Sequence, residues 1–196
     1  MIKKSSIWAL FFIFLYVLPS VSMANEEDRH HRHGKHDNNH LIVKLLGHSE
    51  AYVPDWDVPN AESDVVCQDI DLVDLKSNEV IGAATDCFSS IEPDSVGGGA
   101  GFIGTSFLYF PEGTIVSQGK FTARPVLQET TSITGVPITA ITGAAAEGNT
   151  IIWGSGKYEN AKGNVRVSGM VNDTEYAFMP GDPIYFDCIF DIQLFD

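Results

Sequence analysis

The sequence predicts an all-β domain, because short runs of strand-forming residues alternate with turn residues along most of its length. The chain has 196 residues, of which 44% are hydrophobic and 11% aromatic, enough for one globular domain with its own core. Eighteen glycines and nine prolines separate runs rich in Val, Ile, Thr and Phe, which is typical of strands joined by turns. No stretch has the apolar period of a long amphipathic helix.

Charge argues against one class of partner. Lys and Arg together number 12 against 26 Asp and Glu, which gives a net charge of −14 at pH 7. Such a chain repels the phosphate backbone of DNA or RNA. We therefore expect no nucleic-acid partner.

Residues 1–24 have the pattern of a secretory signal peptide. Lys3 and Lys4 form a basic start, residues 7–18 are apolar, and cleavage is predicted after the small residue Ala24. The alternative is an uncleaved anchor, but this apolar run is shorter than the roughly 20 residues that span a bilayer. We therefore expect a secreted protein, extracellular or periplasmic, with no membrane attachment after cleavage.

Residues 25–40 form a charged segment with no apolar face, and they contain five of the six histidines. Clustered imidazoles can bind Zn²⁺, Ni²⁺ or Cu²⁺. The candidate ligands are His30, His31, His33 and His36. A solvated, disordered segment is the favoured interpretation, because the spacing fixes no ligand geometry. No metal is assigned, and the folded domain is placed at residues 41–196.

The first three predicted strands carry two of the three cysteines. Strands over 41–52, 65–75 and 80–88 are bounded by prolines or by the turn around Ser77. Ser77 is also the midpoint between Cys67 and Cys87, so the two cysteines face each other across a hairpin. In an oxidising compartment this arrangement predicts a disulfide between them.

The third cysteine, Cys188, has no predicted partner within the chain. Three cysteines cannot all pair internally, so we expect Cys188 to be a buried free thiol. A catalytic role for Cys188 is the less favoured interpretation, because no His or Arg adjoins it in the sequence to lower its pKa.

The remaining predicted strands begin with the clearest hairpin, residues 102–121. Its turn contains Pro111, which cannot donate to a ladder, and Gly113, which can adopt a left-handed conformation. Glycines and prolines mark the ends of the other predicted strands. The strands after residue 100 are predicted at 101–110, 114–122, 137–144, 150–153, 163–171 and 185–195.

Eight or nine short antiparallel strands indicate either a closed barrel or a sandwich. Composition does not choose between them. Small and bulky residues alternate over 101–107, and small inward residues would leave room in the lumen of an eight-stranded barrel.

One segment carries a family resemblance. Residues 153–163, WGSGKYENAKG, resemble the Gly-Thr-Gly-x-Phe-x-x-Ala-x-Gly segment of plant dirigent proteins and are similar to the Gly-rich loop of allene oxide cyclases. The Gln118-Gly119 step before it and the aromatic strand 185–195 after it follow the same order, and the resemblance extends from His48 to the C-terminus. The segment lacks the Gly-Lys-Ser/Thr ending of a P-loop, so we interpret it as structural.

The resemblance implies an eight-stranded antiparallel barrel of the allene oxide cyclase/dirigent type. Family members commonly assemble as homotrimers, hold a hydrophobic small molecule in the lumen and need no metal or organic cofactor. The implied function is control of a cyclisation or a stereoselective coupling, through orientation of a reactive intermediate. An isomerase-like cyclase or a dirigent auxiliary is expected; the alternative is a non-catalytic lipid- or metabolite-binding barrel, or a structural barrel with a filled lumen.

The family's site residues are only partly present. Plant dirigents carry Tyr-x-His-Asp on the first strand, where residues 46–49 here read Leu-Gly-His-Ser and keep the His alone. The cyclase pattern of Glu and Asn followed by Asp-Arg-x-Ser-Pro is absent from residues 50–60. Neither activity is assigned from motifs.

Candidate catalytic residues therefore come from strand faces. His48, Glu50 and Tyr52 share one face of the first strand. In a lumen they would supply a general acid or base, and the alternative is a solvent-facing stripe.

Asp69 and Asp71 share a face with Val73 and Leu75, which indicates that part of this face is buried. Two carboxyl groups in a lumen would have raised pKa values and could transfer protons. Three further candidates are suggested by the position of family sites at strand ends. They are Asp86, Tyr109 and Arg124.

Overall fold

The structure is a computed structural model that describes residues 39–61, 64–96 and 98–195. The predicted signal peptide, residues 1–24, lies outside the described residues, as does most of the His-rich segment. The same holds for the candidate metal ligands His30, His31, His33 and His36.

Every predicted strand is present. The strands are β1 (His40–Glu50), β2 (Val66–Asp74), β3 (Val80–Pro93), β4 (Ala100–Phe110), β5 (Gly113–Thr131), β6 (Pro137–Ala144), β7 (Thr150–Gly154), β8 (Lys162–Asn172) and β9 (Pro183–Phe195). A single 3-10 turn, Gly156–Tyr158, is the only helical element in the described part of the chain. β5 extends nine residues beyond its predicted end because its second half pairs with β6 as far as Thr131 opposite Pro137.

The nine strands form one antiparallel sheet that closes on itself. The order β1-β2-β3-β4-β5-β6-β8-β9 returns to β1, so eight strands complete a barrel. β7 pairs with β5 and β8 just as β6 does, and it continues the line of β6 after a break at residues 145–149. Closure excludes the sandwich and confirms the predicted all-β antiparallel barrel.

Alternation along the strands places one set of side chains inside the barrel. Inward positions are odd-numbered on β1, β5 and β8 and even-numbered on β2, β3, β4 and β9. Leu45, Leu72, Val165 and Phe190 are almost completely buried there. Burying this apolar surface is the main force that stabilises the closed sheet.

The segment after β7 packs against the end of β4 and against the turn that precedes β5. Tyr158 is buried, and its ring centroid lies 5.4 Å from that of Phe110. Gly156 has a φ of +58°, and a Cβ at Gly154 would lie 2.1 Å from the carbonyl oxygen of Tyr158. Only glycine fits these two positions without a backbone shift.

The predicted disulfide is also present. Cys67 and Cys87 are register partners on β2 and β3 and are bonded to each other on the outer side of the sheet. Val58, from the loop between β1 and β2, packs against them with Tyr52 at its edge. Cys188 is a free, buried cysteine on β9, as expected.

Candidate functional site

Four polar side chains form a continuous row inside the barrel. Gln68 on β2 lies opposite Asp86 on β3, Asp86 opposite Ser106 on β4, and Ser106 opposite Ser117 on β5. All four are buried, with at most 4% of any residue exposed. We call these residues the polar row. It is the one level of the interior at which neighbouring strands β2 to β5 all present a polar group.

Asp86 is the ionisable member of the polar row. The Ser106 hydroxyl donates a hydrogen bond to its Oδ1 at 2.6 Å. Burial raises the pKa of the carboxyl to about 7, and the Ser106 bond opposes this shift only in part. A carboxyl with this pKa carries its proton for much of the time near neutral pH and can either donate or accept one.

The β8–β9 loop, residues 173–182, covers the end of the barrel nearest the polar row. Tyr176 and Phe178 point from it into the interior, with ring centroids 6.5 and 6.2 Å from that of Phe88. Gln68 Nε2 donates a hydrogen bond to the Tyr176 hydroxyl. The loop is held in turn by Asp182, whose Oδ2 accepts from the backbone of Ala177 at 2.7 Å.

Tyr176 and Asp86 also interact electrostatically. Burial raises the pKa of the Tyr176 hydroxyl, and the nearby Asp86 and Asp182 carboxyl groups raise it further. Burial and Asp86 likewise raise the pKa of the Cys188 thiol. Both groups therefore stay protonated at neutral pH, so Cys188 is a poor nucleophile and Tyr176 a hydrogen-bonding group.

The interior beneath the β8–β9 loop is nearly filled. The cavity there has a volume of about 30 Å³ and is lined largely by aromatic and aliphatic side chains, including Phe88, Phe102 and Phe178. Small-molecule sites usually measure about 300–1,000 Å³. The room expected from the small residues of β4 is taken up by rings, because Phe121 lies against Gly104 and the loop adds Tyr176 and Phe178.

Several buried polar atoms near the row lack a hydrogen-bond partner among the described residues. They are Gln68 Oε1, Ser117 Oγ, and both amide atoms of Asn149. Asn149 is the last residue of the break between β6 and β7, and it fills the space beside Gly119, where a Cβ would lie 2.4 Å from the Asn149 Cβ. Unpaired buried groups of this kind bind ordered water or the polar atoms of a ligand.

The structure places His48 and Glu50 on the solvent-facing side of β1, which is the alternative to a lumen position. Both occupy outward positions of β1, and the His48 ring lies 4.9 Å from the ring of Tyr185 on the barrel exterior. The inward positions of β1 belong to Val43 and Leu45, and the two-residue period then directs His48 and Glu50 outward.

Tyr52, Asp69 and Asp71 also lie outside the lumen. Asp69 Oδ1 accepts hydrogen bonds from the Tyr52 hydroxyl at 3.1 Å and from Thr85 at 2.7 Å. Burial and the Asp69 carboxylate raise the pKa of Tyr52 to about 12. Asp71 is exposed. The lumen face of β2 carries Gln68 instead, together with the apolar side chains two and four residues along, so the two aspartates face outward.

Tyr109 and Arg124 are outward-facing as well. Tyr109 is 39% exposed, and Arg124 Nε donates to Asp94 Oδ2 at 2.6 Å on the surface. Of the eight candidate catalytic residues, Asp86 is thus the one that points into the lumen.

Sequence reasoning missed the other members of the polar row and Tyr176. A local signal existed for Ser106, which alternates with Phe102, Gly104 and Leu108 on one face of β4. No local sequence signal identified Tyr176, because it lies in a loop and its partner Gln68 is 108 residues away in the sequence.

Two further observations concern other kinds of site. Within residues 39–61, 64–96 and 98–195, no group of three or more His, Cys, Asp and Glu side chains is arranged to hold a metal ion. In the same residues no helix is both long and apolar enough to cross a membrane.

Comparison with known proteins finds no relative: no protein-family model matches the chain, and no curated protein matches it.

Proposed function

We propose that this protein is an exported barrel of the allene oxide cyclase/dirigent type that binds a hydrophobic small molecule in its lumen and steers a cofactor-free cyclisation or stereoselective coupling. The observation that carries the proposal is Asp86, a buried carboxyl with a pKa of about 7 inside a closed apolar barrel. The resemblance of residues 153–163 and the order of the strands support the family assignment.

In this proposal the β8–β9 loop is the entrance. Tyr176 and Phe178 occupy the space beside the polar row, so a ligand enters by displacing them. Its apolar body would pack against Phe88 and Phe102, and one oxygen atom would take the place of the Tyr176 hydroxyl on Gln68. This is a site with apolar walls and few polar groups, which is typical of small-molecule binding.

The chemical step would use Asp86 as the proton donor or acceptor. Ser106 fixes the orientation of the carboxyl through the 2.6 Å hydrogen bond, and the surrounding rings exclude water. The barrel contributes orientation by holding the bound intermediate in one conformation, so that a single ring closure or coupling geometry is reached.

A non-catalytic barrel is the second candidate. The cavity of about 30 Å³ favours it, because side chains of the protein itself fill the lumen. Such a barrel would bind a lipid or metabolite without chemistry when the β8–β9 loop opens, or would act as a structural protein with a permanently packed interior.

Export and assembly complete the proposal. The Cys67–Cys87 disulfide is typical of proteins that fold in an oxidising compartment. A homotrimer would bury the apolar outward side chains of the β1–β9–β8–β6 surface, such as Ile42, Ile141 and Ile189. Light scattering of the oxidised protein measures the assembly directly.

The experiment that tests the proposal is incubation of the oxidised protein with a metabolite extract of its source, followed by chromatography and mass spectrometry. We expect a compound to be converted into a product of unchanged mass, or a coupled product to gain one dominant stereoisomer, and we expect Asp86→Asn to abolish the change. Co-purification of an unchanged apolar compound would instead support the carrier. If no compound is converted and none binds, the result would support the structural barrel.

A further inference from the structure

A second concave surface lies on the outside of the barrel, on the segment that resembles the family motif. This groove has a volume of about 670 Å³, within the usual range for small-molecule sites. It is formed by one continuous stretch of chain, β7 and the turn that follows it. We call it the β7 groove, and its lining residues lie within 151–162.

Trp153 provides the aromatic surface of the β7 groove. A register shift after Ser117–Ile151 places Trp153 opposite Val116 and turns its side chain away from the barrel interior. The residue is 54% exposed, so much of the indole surface is free. Tryptophan with an exposed face is typical of binding sites, because it offers a large rigid contact area and an N–H donor.

The backbone of the β7 groove is fixed in advance. Ser155 N donates to Thr114 O at 3.0 Å, and Lys157 N donates to Glu112 O at 2.9 Å. A Cβ at Gly156 would lie 2.3 Å from that same Glu112 oxygen, so the close approach requires glycine. A preformed surface loses little conformational entropy when a ligand binds.

Polar side chains line the same groove as the indole. Glu159, Asn160 and Lys162 are exposed, and in the described part of the chain their side-chain ends have no hydrogen-bond or ion-pair partner. Together they offer a carboxylate acceptor, an amide that both donates and accepts, and an ammonium donor. The charges of Glu159 and Lys162 balance each other.

We propose that the β7 groove binds a neutral saccharide, with the Trp153 indole as the stacking platform and Glu159, Asn160 and Lys162 as hydrogen-bonding groups. A pyranose ring has a flat face of C–H groups and a rim of hydroxyls, which matches an exposed indole and mixed donors and acceptors that line one groove. A polyanionic saccharide fits less well, because the chain has a net charge of −14. The site is separate from the lumen and does not depend on its function.

Titration with cellohexaose, chitohexaose, mannohexaose and maltohexaose tests this proposal. Trp8 belongs to the predicted signal peptide, so a cleaved Trp56→Phe variant would contain Trp153 as its single tryptophan. The fluorescence of this variant then reports on the β7 groove. We expect a saturable change with at least one of the four, with a Kd of about 1 mM or tighter. Calorimetry with the same oligosaccharide should show at least about a tenfold loss of affinity in Trp153→Ala and a smaller loss in Trp153→Phe.

Trp56→Ala is the matched control, because Trp56 is also exposed but packs on Phe107 in the outer layer over the disulfide. Its affinity should stay within about twofold of the parent. Failure of all four oligosaccharides to bind would overturn the proposal. Binding that is unchanged in both Trp153 variants would overturn it as well, because the saccharide would then lie elsewhere.

Discussion

Asp86 and Ser106 lie directly opposite one another on β3 and β4, inside the barrel, and the serine hydroxyl donates to the carboxyl group at 2.6 Å. An ionisable group in this position is costly to bury in its charged form. Its presence in an otherwise largely apolar interior has measurable consequences for stability as well as for chemistry.

Stability should fall as pH rises from about 4 to about 7. The pKa of Asp86 is 3.8 in the unfolded chain and about 7 in the folded protein, so in this interval the folded protein retains a proton that the unfolded chain has lost. Each pH unit in this interval lowers the free energy of unfolding by about 1.4 kcal/mol, which gives about 4 kcal/mol in total. Denaturant unfolding of wild type and Asp86→Asn across this range measures the effect.

The Asp86→Asn variant is the control for other titrating groups. The amide has nearly the shape of the carboxyl group and can still accept from Ser106, but it does not ionise. The difference in unfolding free energy between the two proteins should grow in favour of the variant up to pH 7 and then level off. A constant difference would mean that Asp86 is not the titrating group.

Reduction of the Cys67–Cys87 bond should destabilise the protein by about 3 kcal/mol, because the closed loop spans a sequence separation of 20 residues. Urea unfolding with and without dithiothreitol measures this change. The Cys67→Ala/Cys87→Ala double variant should show no dependence on dithiothreitol, whereas Cys188→Ala should retain it. Equal sensitivity in the double variant would assign the redox effect to Cys188.

Gly119→Ala should destabilise the barrel by about 1–3 kcal/mol. The added Cβ would lie 2.4 Å from the Cβ and 2.6 Å from the Cα of Asn149, so the chain after the β6–β7 break has to move. Gly101→Ala is the matched control, because the nearest atom to its new Cβ is 3.8 Å away. Equal unfolding midpoints for the two variants would show that Asn149 does not pack on Gly119.

Tyr176→Phe should cost about 1–3 kcal/mol, because the Gln68 amide would lose its partner while remaining buried. Tyr109→Phe removes a hydroxyl from an exposed tyrosine and should change the unfolding free energy by no more than about 0.5 kcal/mol. The two variants unfolded side by side by urea give the comparison. Equal changes in unfolding free energy would contradict the hydrogen bond between Gln68 and Tyr176 of the β8–β9 loop.

Local patterns were sufficient to predict the strands and the disulfide. The turn around Ser77 sets the register that brings Cys67 and Cys87 together, and glycines and prolines mark the other strand ends. The inward face of β1 was harder to identify. Apolar residues occupy both of its faces, with Ile42 outward and Val43 inward, so alternation did not reveal where His48 points.

The interior could not be predicted because it depends on contacts between distant segments. Asp86 and Ser106 meet through strand pairing, which the sequence indicated, but Tyr176 and Phe178 reach the lumen from a loop with no periodic pattern. The small residues of β4 therefore indicated more room than the folded chain leaves.

Binding of the neutral dye N-phenyl-1-naphthylamine tests most directly whether the lumen accepts a ligand beneath the β8–β9 loop. Phe178→Ala removes a ring from the entrance and should raise dye affinity at least about tenfold over wild type. Ala123 lines the same cavity, so Ala123→Phe added to Phe178→Ala should cancel the gain. Equal affinities in all three proteins would contradict the account and identify the interior as a packed core.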